Sequence, residues 1–294
     1  MKLPFALPKL KFNRNMRRRL TDRAMSLAAL MCVVIALVPL GSILFEALVR
    51  GAGALRPTVF TLDTRDGGIG NAIQGTLILI SLTSLVSLPV GILTGIYLSE
   101  FGKGRLGGGI RFFVDVMTQI PSIVVGIFAY SLILALAVLG VVSPRLAFST
   151  TSGIIALSTI MIPVVARTAE EALRLVPNST RESALALGIP EHRTILRVVL
   201  PTGGSGLITG ALLALARVAG ETAPLLLTAF GSGFGFPGLN QPIESLPHTI
   251  YTFALDSSTG LNQTAWGASL ILVLIMLLIS IASRVASRPR FASR

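Results

Sequence analysis

The chain has 294 residues, of which 52% are hydrophobic and 13% charged. A soluble domain carries roughly 25% charge, so this composition, with a mean hydropathy of +0.78, points to a protein solvated by lipid. One cysteine, Cys32, excludes an internal disulfide framework, and two histidines leave little from which to build a zinc site.

The net charge of +12 does not make this a nucleic-acid protein, because of where the charges lie. Eight of the 25 basic residues crowd the first 23 positions: Lys2, Lys9, Lys11, Arg14, Arg17, Arg18, Arg19 and Arg23. An apolar run, Ala24–Phe45, follows at once and is long enough to cross about 30 Å of hydrocarbon. Its core is too long for a secretory leader, so it reads as an uncleaved anchor behind a basic topology signal. Cys32 falls inside it and reads as inert packing.

Five further apolar stretches follow. Asn71–Ser99, Val116–Pro144, Leu146–Ala166 and Ser257–Ser283 contain no Asp, Glu, Lys, Arg or His, while Gly203–Gly231 carries Arg217 and Glu221. The chain therefore reads as an all-α integral membrane protein with six transmembrane helices. An even number puts both termini on one side, and 20 of the basic residues fall on that side against four, Arg50, Arg56, Arg65 and Arg145, on the other. By the positive-inside rule both ends are cytoplasmic. Pro89, Pro121, Pro163 and Pro224 punctuate the spans. Gly75, Gly91, Gly95, Gly206 and Gly210 offer close helix contacts. The glycine-rich segment Gly231–Asn240 follows a span rather than a strand, and there is no GxxxxGK[ST], so the chain holds no nucleotide by that device.

Between spans four and five lies Pro177–Pro201, too polar to cross. It is expected to form a short amphipathic helix near Ser179–Leu187, capped by Ser179 or Thr180 and stopped by Gly188, with a second short helix around Glu191–Val199. A short rigid helix between two spans can act as a lever for a partner. Arg217 lies near the middle of the fifth apolar stretch, where a charge costs about 2.5–3.5 kcal/mol on the translocon scale. Glu221, four residues on, is expected on the same helical face, in the poorer order for an i, i+4 pair. A planar guanidinium there suits an oxyanion in a water-lined cavity.

These residues carry a family resemblance. Glu182, Ser183, Ala184, Gly188 and the ending Val198-Val199-Leu200-Pro201 resemble the EAA signature (E-A-A-x3-G-x9-I-x-L-P) of ABC importer permeases, with the spacing matched over 20 positions. Ser183 stands for the first Ala and Val198 for Ile. The string RVAGETAPLL from Arg217, LPHTIYTFAL at Leu246–Leu255 and NAIQGTL from Asn71 resemble the PstA-type permeases of the phosphate-specific ABC importer. The resemblance implies a type I importer permease fold whose coupling helix docks on an ATPase, and ATP-driven import of inorganic phosphate by alternating access. It also implies a substrate path holding Arg217 and Glu221. The implied partners are a PstC-type second permease, a PstB-type ATPase dimer and a periplasmic or surface phosphate-binding protein, in a prokaryotic plasma membrane. No cofactor and no enzymatic activity of the chain's own are implied.

The implied organisation is a basic tail (1–23), a first helix with its external loop (24–70), a permease core (71–287, coupling segment 177–201) and a second tail (288–294). On the residues alone, a permease for another oxyanion such as molybdate or sulfate stays open. An integral-membrane enzyme would need a nucleophile or acid–base cluster at the membrane face, and none stands out.

Overall fold

The computed structural model describes residues 14–286, which fall into two compact units divided between Val49 and Arg50. Lys2, Lys9, Lys11 and the expected tail 288–294 lie outside the described residues. The first unit is helical. The expected span Ala24–Phe45 is the middle of a longer helix, α1 (Arg14–Ala54), whose first turns take in Arg14 to Arg23. Its segment Met16–Ala54 is long and apolar enough to cross a membrane.

The second unit begins with a helical turn at Pro57–Thr61 and the long α2 (Gly70–Ile96), which continues through a wide π turn, Tyr97–Phe101. Then come α3 (Arg105–Gln119), α4 (Ser122–Val138), α5 (Thr150–Arg174) and the short α6 (Asn178–Ala186). The remaining helices are α7 (Glu191–Ala219), α8 (Ala223–Leu226), α9 (Leu246–Ala254) and α10 (Thr259–Ala286). Five of these, α1, α2, α5, α7 and α10, are long and apolar enough to cross a membrane, and the α3–α4 pair supplies a sixth crossing if it is taken as one.

That pair corrects the third expected span. Val116–Pro144 is not one straight helix: the chain bends by 109° between α3 and α4. Pro121 disfavours helical backbone at the residue before it, and Ile120 is extended accordingly (ψ 130°). What remains, α4, has 17 residues, about 25 Å, at the short end of what spans hydrocarbon. The fourth span starts later than Leu146, where Ser149 caps α5 by accepting from the Ser152 amide at 3.2 Å, and it runs on to Arg174.

α5 is the most buried of the spans, and its neighbours reach it through paired glycines. A Cβ on Gly91 or Gly95 of α2 would lie 2.6 Å from Val165 Cβ or 2.5 Å from Ala169 Cβ. On an adjoining face, Gly206 and Gly210 of α7 abut Ala172 and Thr168. Two GxxxG ridges thus seat against one central helix, the close approach by which helices associate where lipid is as apolar as leucine. The core between them is Leu79, Leu157, Met161, Val165, Ala214 and Val218.

α7 corrects the fifth expected span and the second expected short helix together. The helix begins at Glu191 and runs through to Ala219, so the piece around Glu191–Val199 is the foot of the span. A π turn at Ile195–Val199 interrupts it just before Pro201. Pro201 cannot donate to the carbonyl four residues back and crowds it, and a wider turn relieves both. At its other end the span stops short of Gly231: helix gives way at Gly220–Thr222, and Pro224 opens α8.

Candidate translocation site and coupling segment

Beyond α8 the chain visits the N-terminal ends of α2 and α5 and then turns back in. Asn71 holds the glycine-rich segment: its Nδ2 donates to the carbonyls of Ser232 (2.8 Å) and Phe234 (3.2 Å) and to Thr64 Oγ1 (3.0 Å), while its Oδ1 accepts from the Thr64 amide (2.9 Å). The Thr150 and Thr151 amides donate to the carbonyls of Gln241 (2.9 Å) and Leu239 (3.0 Å). The segment then descends to Glu244, a buried carboxylate that takes His248 Nδ1 (2.6 Å), Thr249 Oγ1 (3.2 Å) and the amides of Ser232 and Ser245. Thr76 Oγ1 accepts from the Leu246 amide at 2.8 Å, fixing the start of α9.

This returning segment closes around the break in α7. Glu221 lines a small hollow with Thr76, Leu79, Ile80, Leu157 and Ser245. Thr76–Ile80 lie about 9–15 Å along α2 from its start at Gly70, so the break sits inside the span region. Arg217 is two residues from the end of α7 and not mid-helix, and Glu221 lies in the break rather than on the helix. They pair across the helix end, Arg217 Nε to Glu221 Oε1 at 3.9 Å. The order Arg-before-Glu therefore does not oppose a dipole here: the cation sits in the last turn, where the helix's negative end favours it. Glu221 is 15% exposed and Arg217 44%, and Arg217 makes no hydrogen bond among the described residues. The site thus presents a guanidinium with free donor capacity beside a partly buried carboxylate, at a place where the backbone is already open.

At the α6 end of the bundle lie the residues expected to couple to a partner. Gly188 adopts φ +78°, the Ile189 amide donates to the Ala184 carbonyl (3.2 Å) and the Gly188 amide to that of Leu185 (2.9 Å). This pattern is a Schellman closure, and its left-handed residue suits glycine. Ala184 is the buried residue of α6, while Glu182, Ser183, Leu185 and Leu187 are exposed. The expected cap by Ser179 or Thr180 is not made: the N-cap position is Pro177, with no side-chain bond.

Two ion-pair clusters at this end were not singled out from the sequence. Glu170, 1% exposed, meets Arg111 Nε and Arg174 Nη2, each at 2.6 Å. Arg111 also donates to the carbonyls of Gly102 (2.7 Å) and Leu98 (2.5 Å). Glu100 is held by Arg181, with Nη2 to Oε1 at 2.8 Å and Nε to Oε2 at 3.0 Å. In the sequence these arginines count only toward the basic excess on one side of the membrane. The available signal was an acid at the rim of each of two neighbouring spans, set among an excess of arginine.

A bundle of crossing helices around one central span, with loops that fold back into it, has the build of a membrane permease subunit. The same fold occurs in a chain of a bacterial ABC transporter involved in the import of the acidic polysaccharide alginate (TM-score 0.65, 17% identity, 95% of this chain and 99% of that one). It also occurs in the MetNI methionine ABC transporter in an inward-facing conformation (TM-score 0.57, 20% identity, 80% and 98%). At these identities the likeness is one of fold. The sequence model of the family described as binding-protein-dependent transport system inner membrane component matches residues 87–288. Relatives named phosphate transport system permease protein PstA include those of Yersinia pestis (41% identical over 249 residues, 83% of this chain and 82% of the relative) and Haemophilus influenzae (37% over 284, 94% and 98%). PstA 1 of Mycobacterium tuberculosis is 35% identical over 290 residues, covering 94% of this chain. The chain belongs to this family of permeases, a multi-pass membrane component of the PstA type.

Proposed function

We propose that the chain is the transmembrane subunit of an ATP-driven importer for inorganic phosphate and forms the translocation pathway with a second, PstC-type permease. The observation that carries this reading is the 41% identity, over most of both chains, to a permease named for phosphate transport. A PstB-type ATPase dimer supplies the energy, and a periplasmic or surface phosphate-binding protein delivers the cargo. Both termini are cytoplasmic, a reading supported by the distribution of Lys and Arg; the α6 end of the bundle is then the cytoplasmic one.

The cycle follows from the two sites. The ATPases close on the exposed surface of α6, with Glu182, Ser183 and the Leu185–Leu187 edge in contact. Ala184 and Gly188 keep that helix short and rigid, and Pro201 fixes the foot of α7. The spans then rearrange around the broken α7, where Arg217 offers phosphate a charge-assisted contact in place of part of its hydration. Glu221 keeps that contact weak, which a pathway requires, since cargo bound deeply would not leave. The permease core is 71–287, consistent with a family match that starts at residue 87, and the first helix and its loop, 24–70, stand before it.

Deleting the chain from a strain with no second phosphate importer is expected to abolish ATP-dependent, high-affinity phosphate uptake. Unchanged uptake, or loss of molybdate or sulfate uptake instead, refutes the assignment.

A further inference from the structure

One side chain on α6 ties three elements together. Arg181 offers one edge of its guanidinium, Nε and Nη2, to Glu100 in the π turn that ends α2, at 3.0 and 2.8 Å. Its remaining donors go to the carbonyls of Leu173 (2.9 Å) and Val176 (2.5 Å), where α5 ends. Ser99 Oγ donates to Glu100 Oε1 at 2.8 Å and completes the carboxylate's set. Both partners are largely out of solvent, Arg181 at 18% and Glu100 at 9% exposed. No other side chain of α6 hydrogen-bonds to another helix among the described residues, and Ala184 is its one buried residue.

A planar fork engaged on two edges has no slack: it cannot turn or slide without breaking several charge-assisted bonds at once. We propose that Arg181 is the positioning residue through which displacement of α6 reaches the second span, so that α6, the end of α5 and the end of α2 move as one body. The inference rests on the coupling role proposed above for 177–201. The geometry also separates transmission from mere integrity. Arg111 grips the same turn of α2 independently, through the Leu98 and Gly102 carbonyls, while also holding Glu170 of α5. Removing the Glu100 carboxylate therefore leaves that turn held by α3 and α5. Arg181 keeps its bonds to Leu173 and Val176, so α6 stays capped against α5, and only the strap to α2 is cut.

The test uses the full complex, this chain with its partner permease, ATPase and binding protein, in proteoliposomes, and reads phosphate transported per ATP hydrolysed. Glu100→Ala is expected to assemble and hydrolyse ATP while that ratio falls about tenfold, within the range usual for coupled sites. Arg181→Lys keeps a charge but not the fork and is expected to fall likewise; Glu100→Asp, which keeps a carboxylate, falls less. An unchanged ratio in Glu100→Ala overturns the inference, as does a loss of hydrolysis and uptake in equal proportion, which would assign the contact to docking. Should Arg181→Lys fail to assemble, Glu100→Ala decides alone. A wild-type complex that hydrolyses ATP without moving phosphate refutes the transport reading itself and not the strap.

Discussion

Arg111 and Arg181 commit their donors to backbone carbonyls and a carboxylate within 3.0 Å, whereas Arg217 meets a single carboxylate oxygen at 3.9 Å and hydrogen-bonds to nothing among the described residues. All three lie in the same unit, Arg111 on α3, Arg181 on α6 and Arg217 in the last turn of α7. The saturated guanidiniums are fasteners, since every polar atom they could offer a ligand is in use. The unsaturated one has donor capacity left in an apolar region, where a charge carries a standing cost, and the pathway role proposed for it rests on that spare capacity.

Four substitutions would break or sharpen that contrast. The largest effect is expected at the fasteners: Glu170→Ala strands Arg111 among helix ends, and breaking a buried pair of this kind costs about 3–5 kcal/mol. Detergent-solubilised protein should show a steep loss of folded material in thermal unfolding; a near-normal melting curve would mean the cluster is ornamental. Gly91→Val comes next, because its Cβ would fall 2.6 Å from that of Val165. Overpacking of this sort costs about 1–3 kcal/mol, visible as reduced accumulation in the membrane. Gly188→Ala places a side chain at φ +78°, a left-handed position that costs about 1–2 kcal/mol. It should fray α6 locally, measured as faster proteolysis between Leu187 and Pro190 with the spans intact. The smallest effect on stability belongs to Arg217→Gln: an exposed pair at this separation contributes less than about 1 kcal/mol, so melting should barely move. Phosphate uptake, in contrast, should fall by about tenfold or more, as losing a charged hydrogen bond implies. Normal uptake in Arg217→Gln would make that residue structural and dissolve the contrast.

The spans were readable because hydropathy marks what lipid must solvate, but their ends were not. A helix can run past its apolar segment into polar chain, as α1 does through Arg14–Arg23, α5 through Arg174 and α7 from Glu191. Conversely, the break at Gly220–Thr222 falls inside an apolar run, where hydropathy is silent, and only Pro224 hinted at it. Pro121 was visible, yet a single proline does not say whether a helix kinks or turns by 109°. α6 was legible through Gly188, whose conformation its residue type dictates. The Glu100–Arg181 strap was not, since it joins positions 81 residues apart and no local spacing encodes such a meeting.

The two π turns, Tyr97–Phe101 and Ile195–Val199, lie at one level of the bundle, because Ile96 packs with Val199 and Leu200 against Leu173. Each holds one residue more than an α turn. That surplus rotates everything on the far side by about 100° about its own axis relative to a continuous helix. Deleting Val198 would therefore do more than shorten α7. It would spin the foot of the span, with the linker to α6, about a quarter-turn out of phase with the glycine ridge at Gly206 and Gly210. The spare residues thus set the angular phase between α6 and the two helices that flank it.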